Sequence, residues 1–102
     1  MYRLTALYGR PTDPDAFDEY YRDVHLPIAK RMRGLTRWTL TWSAVDDGSP
    51  YHLIADLYAE DRAAMDVILS SPEGQAARAD LDNFATGGVV FVSGHEEEVS
   101  LR

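Results

Sequence analysis

Residues 36–59 read TRWTLTWSAVDDGSPYHLIADLYA, and this stretch decides the fold. Trp38, Leu40, Trp42 and Ala44 alternate with Arg37, Thr39, Thr41 and Ser43. Period-two alternation of this kind places all the large apolar groups on one side of an extended chain, which is a half-buried strand. DDGSP has the composition of a turn. Residues 51–59, YHLIADLYA, are a second strand, so the two are predicted to form a hairpin.

Outward from that hairpin the chain is nearly symmetric. Before it, residues 2–8 alternate, with Tyr2, Leu4, Ala6 and Tyr8 on one face, and then a helix is predicted. Asp13 suits its N-cap, and Pro14 suits the first helical position, where a missing N–H costs nothing. Phe17, Tyr20, Tyr21, Val24, Ile28 and Met32 fall on one face at about 100° per residue, with His25 at the border and Leu26 nearly opposite. Pro27 cannot donate to the carbonyl of Asp23 and crowds it, so a bend or restart is expected there. Gly34 ends the helix.

After the hairpin, Asp61 caps a helix through Ala64, Met65, Ile68 and Leu69. Ser71 and Pro72 open its continuation. TGG stops that helix, and VVFVSG from Val89 is a short last strand, with residues 95–102 as an exposed charged tail. The order β-α-β-β-α-β predicts a single α+β domain over residues 1–102. Its expected architecture is the ferredoxin-like one, a four-stranded antiparallel sheet with helices on one face. The other face then needs cover, which a second copy of the chain supplies in a sheet-to-sheet homodimer.

A chain of 102 residues suits one modest core. Its net charge of −7 argues against nucleic acid or an anionic membrane as partner. Without cysteine, thiol chemistry and disulfides are excluded. The three histidines are not at ligand spacing from one another, and neither a phosphate loop, a dinucleotide fingerprint nor a serine-nucleophile motif is present. No metal or cofactor is therefore expected. The N-terminus lacks the apolar run of a signal peptide, so the cytoplasm is the expected location.

Two runs carry a family resemblance. FDEYYRDVHLPIAKRMRGL at residues 17–35 and SSPEGQAARADLDNFATGGV at residues 70–89 resemble the EthD family over nearly the whole chain. One departure is Arg33, where the family commonly has proline. The resemblance implies a ferredoxin-like protomer whose dimer forms an α+β barrel. Relatives by fold include muconolactone-type isomerases, cofactor-independent monooxygenases and haem-degrading enzymes. It also implies that the motif histidine is His25 and that the late acidic and aromatic positions are Asp80 and Phe84.

Two readings of His25 stand side by side. It is an acid or base acting on a small apolar or aromatic substrate, or a structural histidine bonded to backbone beside the proline. Tyr8, Tyr21, Trp38, Trp42, Tyr58 and Phe84 are candidates to line a substrate pocket, and equally candidates for core or dimer interface. Asp56, inside a strand, either orients His25 or a ligand hydroxyl or faces water at a sheet edge. Asp80 sits near a helix end, where the dipole disfavours a carboxylate, so it needs a partner, and a salt bridge to Arg78 or Arg37 is expected. The function expected is an oxidoreductase or isomerase with His25 as acid/base. The alternatives are a non-catalytic ligand-binding or accessory protein, or a haem protein with His25 as axial ligand.

Overall fold

The four strands are β1 (Tyr2–Gly9), β2 (Arg37–Trp42), β3 (Tyr51–Ala59) and β4 (Val89–His95), hydrogen-bonded in the order β2-β3-β1-β4 with every pair antiparallel. This is the ferredoxin-like α+β arrangement, seen here in a computed structural model that describes residues 1–43 and 48–102. Residues 44–47 lie outside the described residues. They include Ala44 of the alternating run and the first half of the predicted turn.

Register follows from the alternation. Leu4 stands opposite Leu57 and Ser93, and Ala6 opposite Ala55 and Phe91. Trp38 and Leu40 continue the same rows on β2. All of these point to the helical side. Arg3, Thr5 and Leu7 point to the other, with Tyr58, Asp56 and Ile54 as their partners. The β1–β3 register shifts between Tyr8 and Gly9. This bulge turns His52 off the face of Ile54, Asp56 and Tyr58, where strict alternation puts it. Its ring instead packs edge-on against Phe17 and Trp42, and its Nε2 reaches Asp18 Oδ1 at 2.6 Å.

The helices are α1 (Pro14–Tyr20), α2 (Leu26–Ala29), α3 (Arg62–Ser70) and α4 (Pro72–Asp80). Asp13, Asp61 and Ser71 cap α1, α3 and α4, each accepting a backbone N–H three residues on. Gly74 is buried where α4 leaves α3, and a Cβ there would strike the Ile68 carbonyl. Gly34 takes φ +105°, the left-handed conformation that stops the helical run before β2.

The break expected at Pro27 takes a specific form. Residues Tyr21–His25 make a π turn, in which the Leu26 N–H donates to the Tyr21 carbonyl five residues back. Backbone angles at Tyr20, His25 and Leu26 all stay helical, so the chain widens without stopping. A wheel at 100° per residue misses this. Phe17, Tyr21, His25 and Ala29 recur every four residues, and all four are buried. In a regular helix each four-residue step drifts by about 40°, so three steps carry Ala29 off the core face. The extra residue of the π turn sets the following segment back by about 100° and keeps all four inward. The correction is that His25 is fully inside the apolar face while Val24, expected in the core, is 38% exposed.

The charged tail is shorter than expected. His95 closes β4 with its ring edge-on to Tyr2. Glu96 is also held, accepting from Arg3 at 3.2 Å and from the Tyr58 hydroxyl at 2.8 Å. Residues 97–102 are exposed and have no regular structure. Among the described residues no helix is long and apolar enough to cross a membrane.

Candidate functional site

Between the helical face of the sheet and the helices lies a cavity of about 270 Å³. The strands supply Leu4, Ala6, Tyr8, Trp38 and Leu57, while the π turn supplies Tyr21 and His25. The lining is mostly apolar, as ligand cavities are, with a few polar atoms to orient an occupant.

His25 is 4% exposed. Its Nδ1 is 2.9 Å from Asp80 Oδ2, at the end of α4. The other oxygen, Oδ1, accepts from the Tyr20 hydroxyl at 2.7 Å and from Asn83 Nδ2 at 3.0 Å. Phe84 lies against the imidazole at 4.8 Å between ring centroids and holds its plane. The carboxylate disfavoured at a helix end thus has three donors as its partners. The expected salt bridge to Arg78 or Arg37 is not what the structure shows, because Asp80 points inward to the π turn. Burial pushes the Asp80 carboxyl up, but the bonds from Asn83, Tyr20 and His25 outweigh it and leave it below the usual value. Burial also pulls the His25 pKa below 6.5, against the opposing pull of Asp80. At neutral pH the pair is therefore an imidazole donating Nδ1–H to a carboxylate. Nε2 is left as the ring nitrogen available to a cavity occupant.

Tyr8 and Tyr21 are both buried, and desolvation drives their phenols well above the usual tyrosine range. They remain neutral O–H groups at any ordinary pH. The Trp38 indole and the Tyr8 hydroxyl offset part of the rise at Tyr21. The Trp38 Nε1 is itself buried, and although it lies near enough to Tyr21 to favour the phenolate, it completes no hydrogen bond of ordinary geometry. A buried donor without a partner is costly, on the order of 1–3 kcal/mol, and an oxygen on a ligand would relieve it.

The predicted site residues therefore separate. His25, Tyr8, Tyr21 and Trp38 meet at the cavity. Phe84 stands behind His25, packed on Tyr8, Phe17, Tyr20 and Tyr21 as well. Trp42 shares the face of Trp38 but lies farther along β2, edge-on to Tyr21 and His52 with Arg22 over its ring. It does not line the cavity. Asp56 and Tyr58 are corrected outright, since the register puts both on the opposite face of the sheet. There Asp56 accepts from the Thr5 hydroxyl, and Tyr58 lies under Arg37 with its hydroxyl on Glu96. Among the described residues no cluster of three or more histidine, aspartate or glutamate side chains is placed to hold a metal ion.

The chain belongs to the EthD family: the EthD domain pattern matches residues 9–88. It is 41% identical over 101 residues to an uncharacterized 11.0 kDa protein of the thcB-thcC intergenic region of Rhodococcus erythropolis, covering 97% of this chain and 98% of that one. An EthD family protein of Bacillus halodurans superposes with a TM-score of 0.87 at 29% identity, covering 95% of this chain and 99% of that one. SnoaB of Streptomyces nogalater, a cofactor-independent oxygenase, shares the fold at 13% identity with a TM-score of 0.68, covering 99% of this chain and 96% of that one.

Proposed function

We propose that this protein binds a small aromatic or apolar organic molecule in the cavity and moves a proton on it, with His25 as the base. The observation that carries this reading is His25 at the wall of a mostly apolar chamber, with Asp80 buried against its Nδ1. Asp80 fixes the tautomer and orients the ring, so Nε2 is the accepting atom. Tyr21, backed by the Tyr8 hydroxyl, and Trp38 offer neutral donors to an oxygen that gains negative charge when a neighbouring carbon or hydroxyl loses its proton. The resulting enolate or phenolate either takes the proton back elsewhere, as an isomerase requires, or reacts onward with dioxygen. The second course is supported by the fold shared with a cofactor-independent oxygenase.

A chamber of 270 Å³ lies just below the roughly 300–1,000 Å³ typical of drug-sized ligands, so it suits a molecule of one or two rings. This size favours such a molecule over the haem alternative. In the same reading the functional unit is a homodimer. The supporting observation is the sheet face away from the helices, where Val90 and Val92 are 51% and 55% exposed beside Leu7 and Ile54. Light scattering should give twice the mass of the 11.5 kDa chain, and a monomer at micromolar concentration counts against the dimer.

The test of the proton-transfer reading is deuterium uptake by an enolisable aryl ketone, α-tetralone, followed by NMR in D₂O. Wild type should accelerate exchange at the carbon beside the carbonyl. His25→Ala should abolish the acceleration while leaving the far-UV circular dichroism unchanged. Equal rates with and without wild-type protein, despite measured binding of the ketone, would leave a binding protein without turnover.

A further inference from the structure

The cavity lining is neutral except at one end. Among the described residues that line it, Arg78 of α4 carries the one permanent charge. Its guanidinium lies over the Phe91 ring of β4, 5.9 Å from the centroid. Phe91 belongs to the helical face of the sheet but is 42% exposed, because β4 is an edge strand that the helices leave partly open. Arg78 and Phe91 also line the shallow groove that adjoins the cavity, so the pair marks its mouth.

Among the described residues Arg78 has no carboxylate of its own. Asp80, two residues on, gives its oxygens to His25, Tyr20 and Asn83. Asp82 faces the adjoining groove, and no ion pair joins it to Arg78 among the described residues. The contact with Phe91 is a cation–π one at 5.9 Å and supplies no hydrogen-bond acceptor to the guanidinium N–H groups. A chain with a net charge of −7 repels anions at long range, so an unpaired arginine at the mouth is the feature that would reverse this locally.

We infer that the ligand of this cavity is an aromatic carboxylate. Its acid group is held by the N–H edge of Arg78 at the mouth, and its ring enters the apolar chamber toward His25. The inference rests on the reading of the cavity as an aromatic-ligand site and names the chemical class that site selects. Arginine suits the role because its planar fork meets a carboxylate with two parallel hydrogen bonds.

The experiment is calorimetric titration of the full chain with 4-hydroxybenzoate, its methyl ester and phenol, in wild type, Arg78→Gln and Arg78→Lys. Wild type should bind the acid at least about tenfold more tightly than the ester, the ordinary gain from a charge-assisted contact. Arg78→Gln should bring the acid to within about twofold of the ester and leave ester and phenol unchanged, and Arg78→Lys should keep part of the preference. At 0.5 M salt the wild-type preference should narrow, because the mouth is exposed. If ester and phenol bind but the acid binds no better, or if Arg78→Gln keeps the preference, the role of Arg78 is overturned while the aromatic cavity stands. If none of the three binds wild type, the cavity reading falls and the inference falls with it.

Discussion

His25 and Asp80 are 55 residues apart in the chain, and a 2.9 Å contact joins the π turn after α1 to the last residue of α4. The contact links the two segments that carry the family pattern. It also settles which nitrogen of His25 is occupied.

The first prediction concerns that contact. Asp80→Asn keeps the shape but lets the amide present either an N–H or an oxygen to Nδ1, so the tautomer is no longer fixed. Proton transfer to α-tetralone should fall by at least about a hundredfold, within the range general-base catalysis spans. Ligand affinity should change little, because Asp80 does not line the cavity. A loss of binding with the rate at saturation unchanged would assign Asp80 to the pocket instead.

The pH dependence of stability follows from the same pair. His25 in the folded protein holds its proton less tightly than the ordinary value of 6.5. As pH falls below 6.5 the unfolded chain therefore takes up more protons, and stability declines until folded His25 is protonated too. Asp80 adds a second loss at lower pH, because its folded value lies below 3.8 and its contribution is complete only above 3.8. Urea midpoints at pH 5 should be lower than at pH 7.5, and His25→Gln should flatten that difference. A midpoint that rises on acidification would show that His25 gains a proton on folding.

Trp38 gives a prediction that separates polarity from packing. Trp38→Phe keeps a ring in the wall but removes the buried Nε1–H. Affinity for α-tetralone should fall by roughly five- to tenfold, the ordinary worth of one neutral hydrogen bond. Unchanged affinity would show that the indole donor does not meet the ligand oxygen.

How much of this was legible in the sequence differs between elements. The hairpin, the three caps and the helix stops were readable because alternation and capping are local. Tyr8, Tyr21 and Trp38 were readable as candidates because each sits on an apolar face. Asp56 and Tyr58 were misplaced although their strand was right. Periodicity says that they share a face, but not which face the helices cover. His52 left that face through a bulge for which the sequence carries no marker. Asp80 was singled out for its position against the helix dipole, but its partner lies across the fold, and only the tertiary structure brings them together. The wheel failed at Val24 because it assumed one pitch throughout.

That failure leads to the last prediction. The π turn has room for Pro27 because the Leu26 N–H already skips to the Tyr21 carbonyl, and the ladder is open where proline lacks a donor. Val24 is exposed and sits inside the turn, so it serves as the extra residue. Deleting Val24 should close the turn to a regular helix. The spacing from Tyr21 to His25 then becomes three residues and still keeps both inward. In the closed helix, however, Pro27 falls in an ordinary interior position, where it costs about 3 kcal/mol. Deletion of Val24 alone should therefore destabilise the protein by about that amount, and adding Pro27→Ala should restore most of it. Pro27→Ala without the deletion should have a small effect, since the widened turn makes little use of that N–H. Urea unfolding of the three variants measures each term. Equal stability of the deletion with and without Pro27 would show that the π turn persists after the deletion and is set by the packing of Tyr21 and His25, not by residue count.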